Sequence, residues 1–407
     1  MPILVQKYGG TSLSSEQTRG FVLRHIARER QRSYQLVVVV SAMGRRGDPY
    51  ATDTLLALVH NKGGTIPQRE RDLLLGCGEI ISAVTLCSLL RAEGIPSVVL
   101  TGGGAGILTD SQFGRARILT VKTDKVLQLL QQNQVVIVTG FQGIDEKGDL
   151  TTLGRGGSDT SATALAAALR AERVDIYTDV NGILTADPRI VEDARPIPVV
   201  GYAEICNMAR QGAKVIHPRA VEIAQQSHIP IRVRSTFSEE EGTLVTDQAD
   251  VLAAASGSSV KDRQVTGVTH VSGVTQITVT AHKGDNDVQL NVFHAMAKHQ
   301  ISVDFINVTP GGATYTVFDE DADAAVEVLQ SIGYEPFVVK GCAKVSIIGG
   351  GMNGVPGIMA SIVEALTKRG IPILQSADSN TTIWVLVREE NMVEAQRSLH
   401  AQFNLHE

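Results

Sequence analysis

Ile3-Leu4-Val5-Gln6-Lys7-Tyr8-Gly9-Gly10-Thr11-Ser12 decides how the first half of the chain is read. A short apolar run ends in a lysine and paired glycines, and a helical pattern, Gln17–Arg30, comes next. Paired glycines let the backbone approach a ligand closely. Free N–H groups at a helix start favour an anion. Lys7 adds a full positive charge beside them. A plain strand–helix turn with a surface lysine accounts for the same residues, so the stretch needs support from elsewhere.

That support comes from alternation. Leu36–Val40, Ser97–Leu100, Val135–Thr139, Val174–Tyr177 and Ile229–Val233 read as buried strands. Glu70–Arg91, Lys125–Gln132, Thr160–Arg170 and Ala213–Ser227 read as helices between them. Strands alternating with helices predict a mostly parallel sheet covered on both faces, a three-layer αβα arrangement, over residues 1–240. Residues 241–263 turn charged and then rich in Ala, Ser and Gly, which predicts a linker. An internal repeat occupies the remainder. Ile277/Ile347, Ala295/Ala365, Ile301/Ile371 and Leu329/Leu399 pair at one offset (371 less 301, or 70 residues). Each copy reads strand–helix–strand–strand–helix, the ferredoxin-like α+β plan. The copies are expected at 264–341 and 342–407, the second recruiting a strand from about 264–270.

Three further stretches carry chemistry. Leu153-Gly154-Arg155-Gly156-Gly157-Ser158-Asp159 runs into an Ala-rich helix. Its glycines and helix start suit an oxyanion, and arginine grips carboxylate or phosphate with two parallel bonds. Helix capping explains Ser158 and Asp159 equally well but leaves Arg155 without a task. Tyr177-Thr178-Asp179 ends a strand where open α/β sheets bind ligands, and a polar loop runs on to Asp187-Pro188-Arg189. Ordinary turn signals account for that loop too. Gly76-Cys77-Gly78-Glu79 places two costly glycines inside a helical pattern, which predicts close approach of something to that face.

Composition excludes several classes. The 407 residues are 43% hydrophobic and 20% charged, ordinary for a globular protein. Net charge is −6 without a Lys/Arg block, which argues against nucleic acid and anionic membrane as partners. The four cysteines form no CxxC pair, and reduced buried thiols of a cytoplasmic protein are expected. No signal peptide and no membrane-spanning run is read. No P-loop motif and no H-R-D or D-F-G set is present. Gly349-Gly350-Gly351-Met352-Asn353-Gly354 matches a dinucleotide fingerprint by pattern but lies inside a repeat unit too short for that fold. His217 and His282 lack ligand partners at metal spacing, so no protein metal site is expected.

Taken together, these stretches resemble the aspartokinase branch of the amino-acid kinase family. The matching segments are KYGGTS at Lys7–Ser12, VSAM at Val40–Met43 and GEI at Gly78–Ile80. TLGRGGSD at Thr152–Asp159, TDVNGILTADPR at Thr178–Arg189 and AKVIHP at Ala213–Pro218 continue in the family's order. The C-terminal repeat resembles paired ACT domains. The resemblance implies an amino-acid kinase fold with a mostly parallel sheet, followed by two ACT domains. It implies Mg²⁺ and ATP, with Lys7, Gly9 and Gly10 on the phosphates. Ser41, Thr52, Glu79, Arg155 and Gly156 would bind L-aspartate. Ser158 and Asp159 would line the reacting centre, and Thr178, Asp179, Leu184, Asp187 and Arg189 the nucleotide. Lys214 would reach the phosphates from the other side. The catalytic set is then Lys7, Asp159 and Lys214.

The implied product is 4-phospho-L-aspartate, the first step toward lysine through diaminopimelate, threonine and methionine. An aspartate carboxylate is already a nucleophile at neutral pH. The expected catalysis is therefore positioning and charge neutralisation, with Asp159 organising the lysines. The resemblance also implies feedback by lysine, threonine or meso-diaminopimelate. The expected pocket is Gly284, Asp285, Asp287, Gln289, Asp304 and Asn307 in the first ACT copy, at an interface between chains. A homo-oligomer through the ACT domains, or a heterotetramer with a shorter regulatory chain, fits that expectation. Departures from the family leave alternatives. Arg45–Tyr50 makes the loop before Thr52 longer than in some relatives. The first ACT loop, Lys283–Asp287, lacks the Pro-Gly that the second has at Pro356-Gly357. A glutamate or carbamate kinase and a catalytically silent amino-acid sensor are the competing readings.

Overall fold

The computed structural model describes residues 1–60, 66–213, 215–247, 264–281, 287–352 and 354–407. The chain divides into two units: Met1–Leu184, Pro196–Arg210 and Lys214–Lys261 form the first, and Thr185–Arg195, Gln211–Ala213 and Asp262–Glu407 the second.

The first unit begins β1 (Ile3–Tyr8), α1 (Gly10–Leu13), α2 (Glu16–Gln31) and β2 (Gln35–Val40). Then come α3 (Thr52–His60), the long α4 (Gln68–Ala92), β3 (Ser97–Leu100), β4 (Ile107–Thr109) and β5 (Ile118–Val121). Next are α5 (Asp124–Gln131), β6 (Val135–Thr139), β7 (Gln142–Ile144), β8 (Leu150–Thr152), α6 (Gly157–Leu169) and β9 (Arg173–Thr178). It closes with β10 (Val199–Gly201), α7 (Tyr202–Arg210), α8 (Pro218–Gln226), β11 (Ile231–Ser235) and β12 (Thr243–Thr246).

Eight strands form the main sheet in the order β10-β12-β11-β9-β1-β2-β6-β3. All neighbours are parallel except β11 and β12. The Val-rich strands β2 and β6 are buried along nearly their whole length, as a sheet covered on both faces requires. On one face α2 and α4 supply Val22, Ile26, Ala83, Leu86 and Leu90 to a core with Leu4, Leu36 and Val38. Covering β1 and β9 is α6, whose residues from Gly157 to Ala166 are all buried. Small side chains suit a helix packed that closely. A second sheet, β5-β4-β7-β8, was not foreseen, because three- and four-residue strands carry too little periodicity to read.

Local signals explain the element boundaries. Ser15 caps α2 with a reciprocal Ser15–Thr18 capping box. Pro218 occupies the first turn of α8 and the His217 ring caps it, so the helix expected from Ala213 begins at Pro218 instead. β12 lies beyond residue 240, inside the stretch read as a linker. By length and composition α4 could cross a membrane, contrary to expectation. In this fold it is a core helix, with Leu75, Ala83, Leu86 and Leu90 buried. The cysteines are free, but Cys77 is exposed and Cys87 half-buried, so burial holds only for Cys206 and Cys342.

The second unit comprises β13 (Gly267–Thr280), α9 (Val288–Lys298), β14 (Asp304–Thr309), β15 (Gly312–Phe318) and α10 (Asp319–Ser331). It continues β16 (Phe337–Ile348), α11 (Ile358–Thr367), β17 (Gln375–Asp378), β18 (Thr382–Arg388) and α12 (Met392–Gln402). One antiparallel sheet, β14-β15-β13-β16-β18-β17, carries both repeats. Ile277, Val279, Val292 and Tyr315 belong to one core, and Val268, Val345, Ile347 and Ile362 to the other. β13 and β16 run far longer than the expected Val274–Ala281 and Lys344–Gly351: β13 supplies both cores, and β16 pairs with β13 on one side and β18 on the other.

Candidate active site at the strand ends

A cleft of about 860 Å³ opens beyond the carboxyl ends of β1 and β2 in the first unit. β1 delivers Lys7, whose Nζ lies 2.7 Å from Oδ1 of Asp159 in the first turn of α6. Gly10 packs so tightly on the turn after β2 that a Cβ would sit 2.6 Å from the Ala42 carbonyl. That turn brings Ser41 to the cleft, with its N–H bonded to the Tyr8 carbonyl at 3.1 Å. Thr52, the first residue of α3, also lines the cleft.

Glu79 on α4 closes this side. It is 2% exposed, and its Oε1 accepts the Ala42 N–H at 3.1 Å. Its Oε2 is buried and has no hydrogen-bond partner among the described residues. Burial pushes the carboxyl up from 4.5 to about 8, against the pull of backbone donors. The flanking glycines are explained by packing. A Cβ on Gly78 would meet the Ala42 Cβ at 2.7 Å, and one on Gly76 the Leu150 side chain at 3.0 Å.

The glycine loop forms the opposite wall. Gly154 and Gly156 both have positive φ, 76° and 67°, which side-chain-bearing residues rarely adopt. The His217 ring packs directly on Gly156, where a Cβ would come within 2.1 Å of it. No side chain caps α6, and Gly157, Ser158 and Asp159 line the cleft at its start. Arg155 is exposed, lines the cleft, and has no ion-pair or hydrogen-bond partner among the described residues.

Other predicted residues fall elsewhere. Thr178 ends β9, which pairs with β1, and Asp179 follows it; neither lines the cleft. Thr178 donates to Asp179 at 3.1 Å, and Asp179 pairs with Arg45. Leu184 bridges Pro196 in the first unit. Asp187 and Arg189 belong to the second unit and pair with each other at 2.7 Å. Lys214, Gly284 and Asp285 lie outside the described residues. Gln289 donates to the Thr309 carbonyl at 2.7 Å, Asp287 directly precedes α9, and Asn307 is exposed on β14. Asp304 was expected to receive an effector's ammonium. Its carboxylate already accepts the ammonium of Lys344.

Sequence reasoning missed Arg71, Asp72, Phe113, Arg115 and Phe141 in the cleft lining. A signal for one was present. Asp72, Leu75 and Glu79 stand at i, i+3 and i+7, so both carboxylates share one face of α4 with apolar neighbours.

Known proteins agree with this architecture. The amino acid kinase family model matches residues 2–235, and an ACT domain model matches 337–401. Aspartokinase 1 of Bacillus subtilis is 53% identical over 405 residues, covering 100% of both chains. The chain belongs to the aspartokinases, within the amino acid kinase family. The solved aspartokinase III of E. coli, in complex with aspartate and ADP, superposes with a TM-score of 0.79 at 25% identity, covering 98% of this chain and 99% of that one. The same E. coli enzyme in complex with lysine and aspartate gives 0.76 at 26% identity, with full coverage of both. As an aspartokinase this chain is an ATP-using kinase, an allosteric transferase of amino-acid biosynthesis with a regulatory ACT unit.

Proposed function

We infer that the cleft between Lys7, Glu79 and Arg155 is where L-aspartate meets the γ-phosphoryl group of ATP. The observation that carries this is the charge pattern. A guanidinium and a buried carboxylate oxygen without partners among the described residues, and a lysine fixed by Asp159, face one cavity. Aspartate bears two carboxylates and an ammonium, the complement of that set. Arg155 grips one carboxylate through two parallel bonds. Glu79 receives the ammonium, and Ser41, Thr52 and the Gly156 backbone complete the pocket. Lys7, Gly9, Gly10 and the uncapped start of α6 at Ser158 hold phosphate oxygens. Thr178, Asp179 and Leu184 serve the nucleotide, and Lys214 is assigned to its phosphates.

The β-carboxylate oxygen attacks the γ-phosphorus. A new O–P bond forms, the bond to the β–γ bridging oxygen breaks, and ADP leaves with that electron pair. No proton has to move, so Asp159 has no base to act as; it fixes Lys7. Catalysis is orientation plus neutralisation of two approaching anions. Among the described residues no cluster of three His, Cys, Asp or Glu can hold a metal. That suits Mg²⁺ carried mainly by the nucleotide phosphates, with Asp159 as the carboxylate at hand. When bound, the ion supplies further charge neutralisation.

The ACT unit is read as the receptor for an amino-acid effector: lysine, threonine or meso-diaminopimelate. The lysine complex of E. coli aspartokinase III supports that class. Gln289, Asp304 and Asn307 are assigned to that site in the first repeat, at an interface between chains in a homo-oligomer or with a shorter regulatory chain. Four unpaired cysteines agree with a cytoplasmic setting. The deciding assay incubates the enzyme with ATP, Mg²⁺ and aspartate and traps the acyl phosphate with hydroxylamine. Hydroxamate with aspartate and none with glutamate is expected. No hydroxamate would leave the silent sensor, and hydroxamate with glutamate alone another amino-acid kinase.

A further inference from the structure

Two charged side chains outside the expected set hold the same pair of backbone segments. Asp72, fully buried on α4, accepts the N–H of Gly114 at 2.9 Å and the N–H of Thr152 at 2.7 Å. It also accepts the Thr152 hydroxyl at 2.9 Å. Arg219, half-buried in the first turn of α8, donates to the carbonyls of Leu153 and Ala116, each at 3.1 Å. Between them the Ala116 N–H bonds the Thr152 carbonyl at 2.9 Å. One carboxylate therefore bridges two donors, and one guanidinium bridges two acceptors, across the segments 114–116 and 152–153.

The glycine loop begins immediately after the second of those segments. Gly154 and Gly156 sit at positive φ, and glycine carries the least intrinsic stiffness of any residue. Arg155 lies two residues beyond the clamped carbonyl of Leu153, so its reach is fixed by where that carbonyl is held. A neutral packed residue would hold the segments with less desolvation cost than a buried charge does. Charge-assisted bonds are short and directional, and they set position more narrowly than apolar packing.

We propose that Asp72 and Arg219 are positioning residues for aspartate capture, fixing the place of Arg155 over the cleft. This rests on Arg155 as the grip on the aspartate carboxylate. The test measures kcat and both KM values in full-length Arg219→Ala, Asp72→Asn, Arg155→Ala and the Arg155→Ala/Arg219→Ala double variant. Thermal unfolding of each reports the fold. Arg219→Ala should raise the aspartate KM by about tenfold or more and leave the ATP KM within about twofold. Added guanidinium ion should restore much of the loss. The double variant should be no worse than Arg155→Ala alone, because both changes break one unit. A purely structural brace would lower the unfolding temperature and leave the aspartate KM unmoved, which overturns the inference. So would a double variant whose KM increase is the product of the two single ones. If Arg219→Ala does not fold, the near-isosteric Asp72→Asn decides by the same KM criterion. An unchanged aspartate KM in Arg155→Ala refutes the site reading and this inference together. A raised one beside a normal Arg219→Ala refutes the brace alone.

Discussion

Glu79 offers the sharpest quantitative test of the site, because its charge is tied to pH. The side chain is 2% exposed, one oxygen is held by the Ala42 N–H, and the other has no partner among the described residues. Burial lifts the carboxyl from 4.5 to about 8. A rise of that size withholds roughly 5 kcal/mol from the ionised form, an upper figure because water entering the cleft screens it. The sign comes from linkage. The folded pKa lies above the unfolded one, so the stabilising effect of the proton is fully present below about pH 4.5. It is lost as pH rises through about 8. The ligand-free enzyme should therefore lose stability between pH 5 and 8.5. Glu79→Gln, which cannot ionise, should be flatter over that range.

Aspartate binding carries the same titration with the opposite preference. The ammonium of aspartate wants the ionised carboxylate, so binding below pH 8 must expel a proton. The aspartate KM should rise by up to about tenfold for each pH unit lowered below 8. At pH 8.5 Glu79→Gln should raise that KM by roughly 10–100-fold, the worth of a charge-assisted hydrogen bond. Its KM should then stay nearly constant with pH. A coupled ADP-release assay at saturating ATP, run from pH 6 to 9, measures all of this. A wild-type KM that is flat from pH 6 to 8, or a Glu79→Gln variant that keeps the slope, would refute the reasoning.

Single contacts set the other expected outcomes. Lys7→Ala should cut kcat by about 10²–10³-fold with the fold intact, as loss of one preorganised donor does elsewhere; near-normal turnover would remove Lys7 from the phosphates. Arg155→Ala should raise the aspartate KM far more than the ATP KM, and an equal rise in both would reassign it to phosphate. Gly78→Ala puts a methyl 2.7 Å from the Ala42 Cβ and should cost about 1–3 kcal/mol by denaturant unfolding. Gly76→Ala should cost less, because the Leu150 side chain it meets at 3.0 Å can turn aside. Asp304→Ala should weaken feedback inhibition without changing activity in the absence of effector; a variant inhibited at the wild-type effector concentration would exclude that pocket.

Much of the catalytic unit could be read from the chain because its elements obey strong local rules. Val-rich runs such as Leu36–Val40 have no stable place but the middle of a covered sheet. Gly9-Gly10 and Gly154–Gly157 mark where backbone must pass close to something. The Glu79 region was visible because two glycines, Gly76 and Gly78, are costly inside a helix. The clamped segments 114–116 and 152–153 were not visible. Their meaning arises from Asp72 and Arg219, which reach them across 80 and 103 residues of sequence. No short-range pattern encodes a contact at such separation.

The regulatory unit shows the same boundary between local and distant information in a different form. An offset of 70 residues, from Ile301 to Ile371, exposes two copies because the core positions repeat. Repetition says nothing about which sheet edge each copy uses. The structure joins them through β13 and β16, and Val268, in the stretch 264–270 expected to be recruited by the second copy, belongs to the second core. Each copy alone would leave an edge strand open, and the long shared strands remove two such edges at once. The polar groups nearest that junction are correspondingly engaged. Lys344 on β16 is almost buried and holds Asp304 on β14, across the repeat boundary. The Asp304 side chain is exposed and a carboxylate can accept from a second donor, so an effector's ammonium received there would share it with Lys344. A second cation on that carboxylate competes for the charge that holds the nearly buried Lys344 ammonium. Effector binding at this carboxylate would therefore bear on the strand that both repeats share, which is the mechanical link a feedback signal requires.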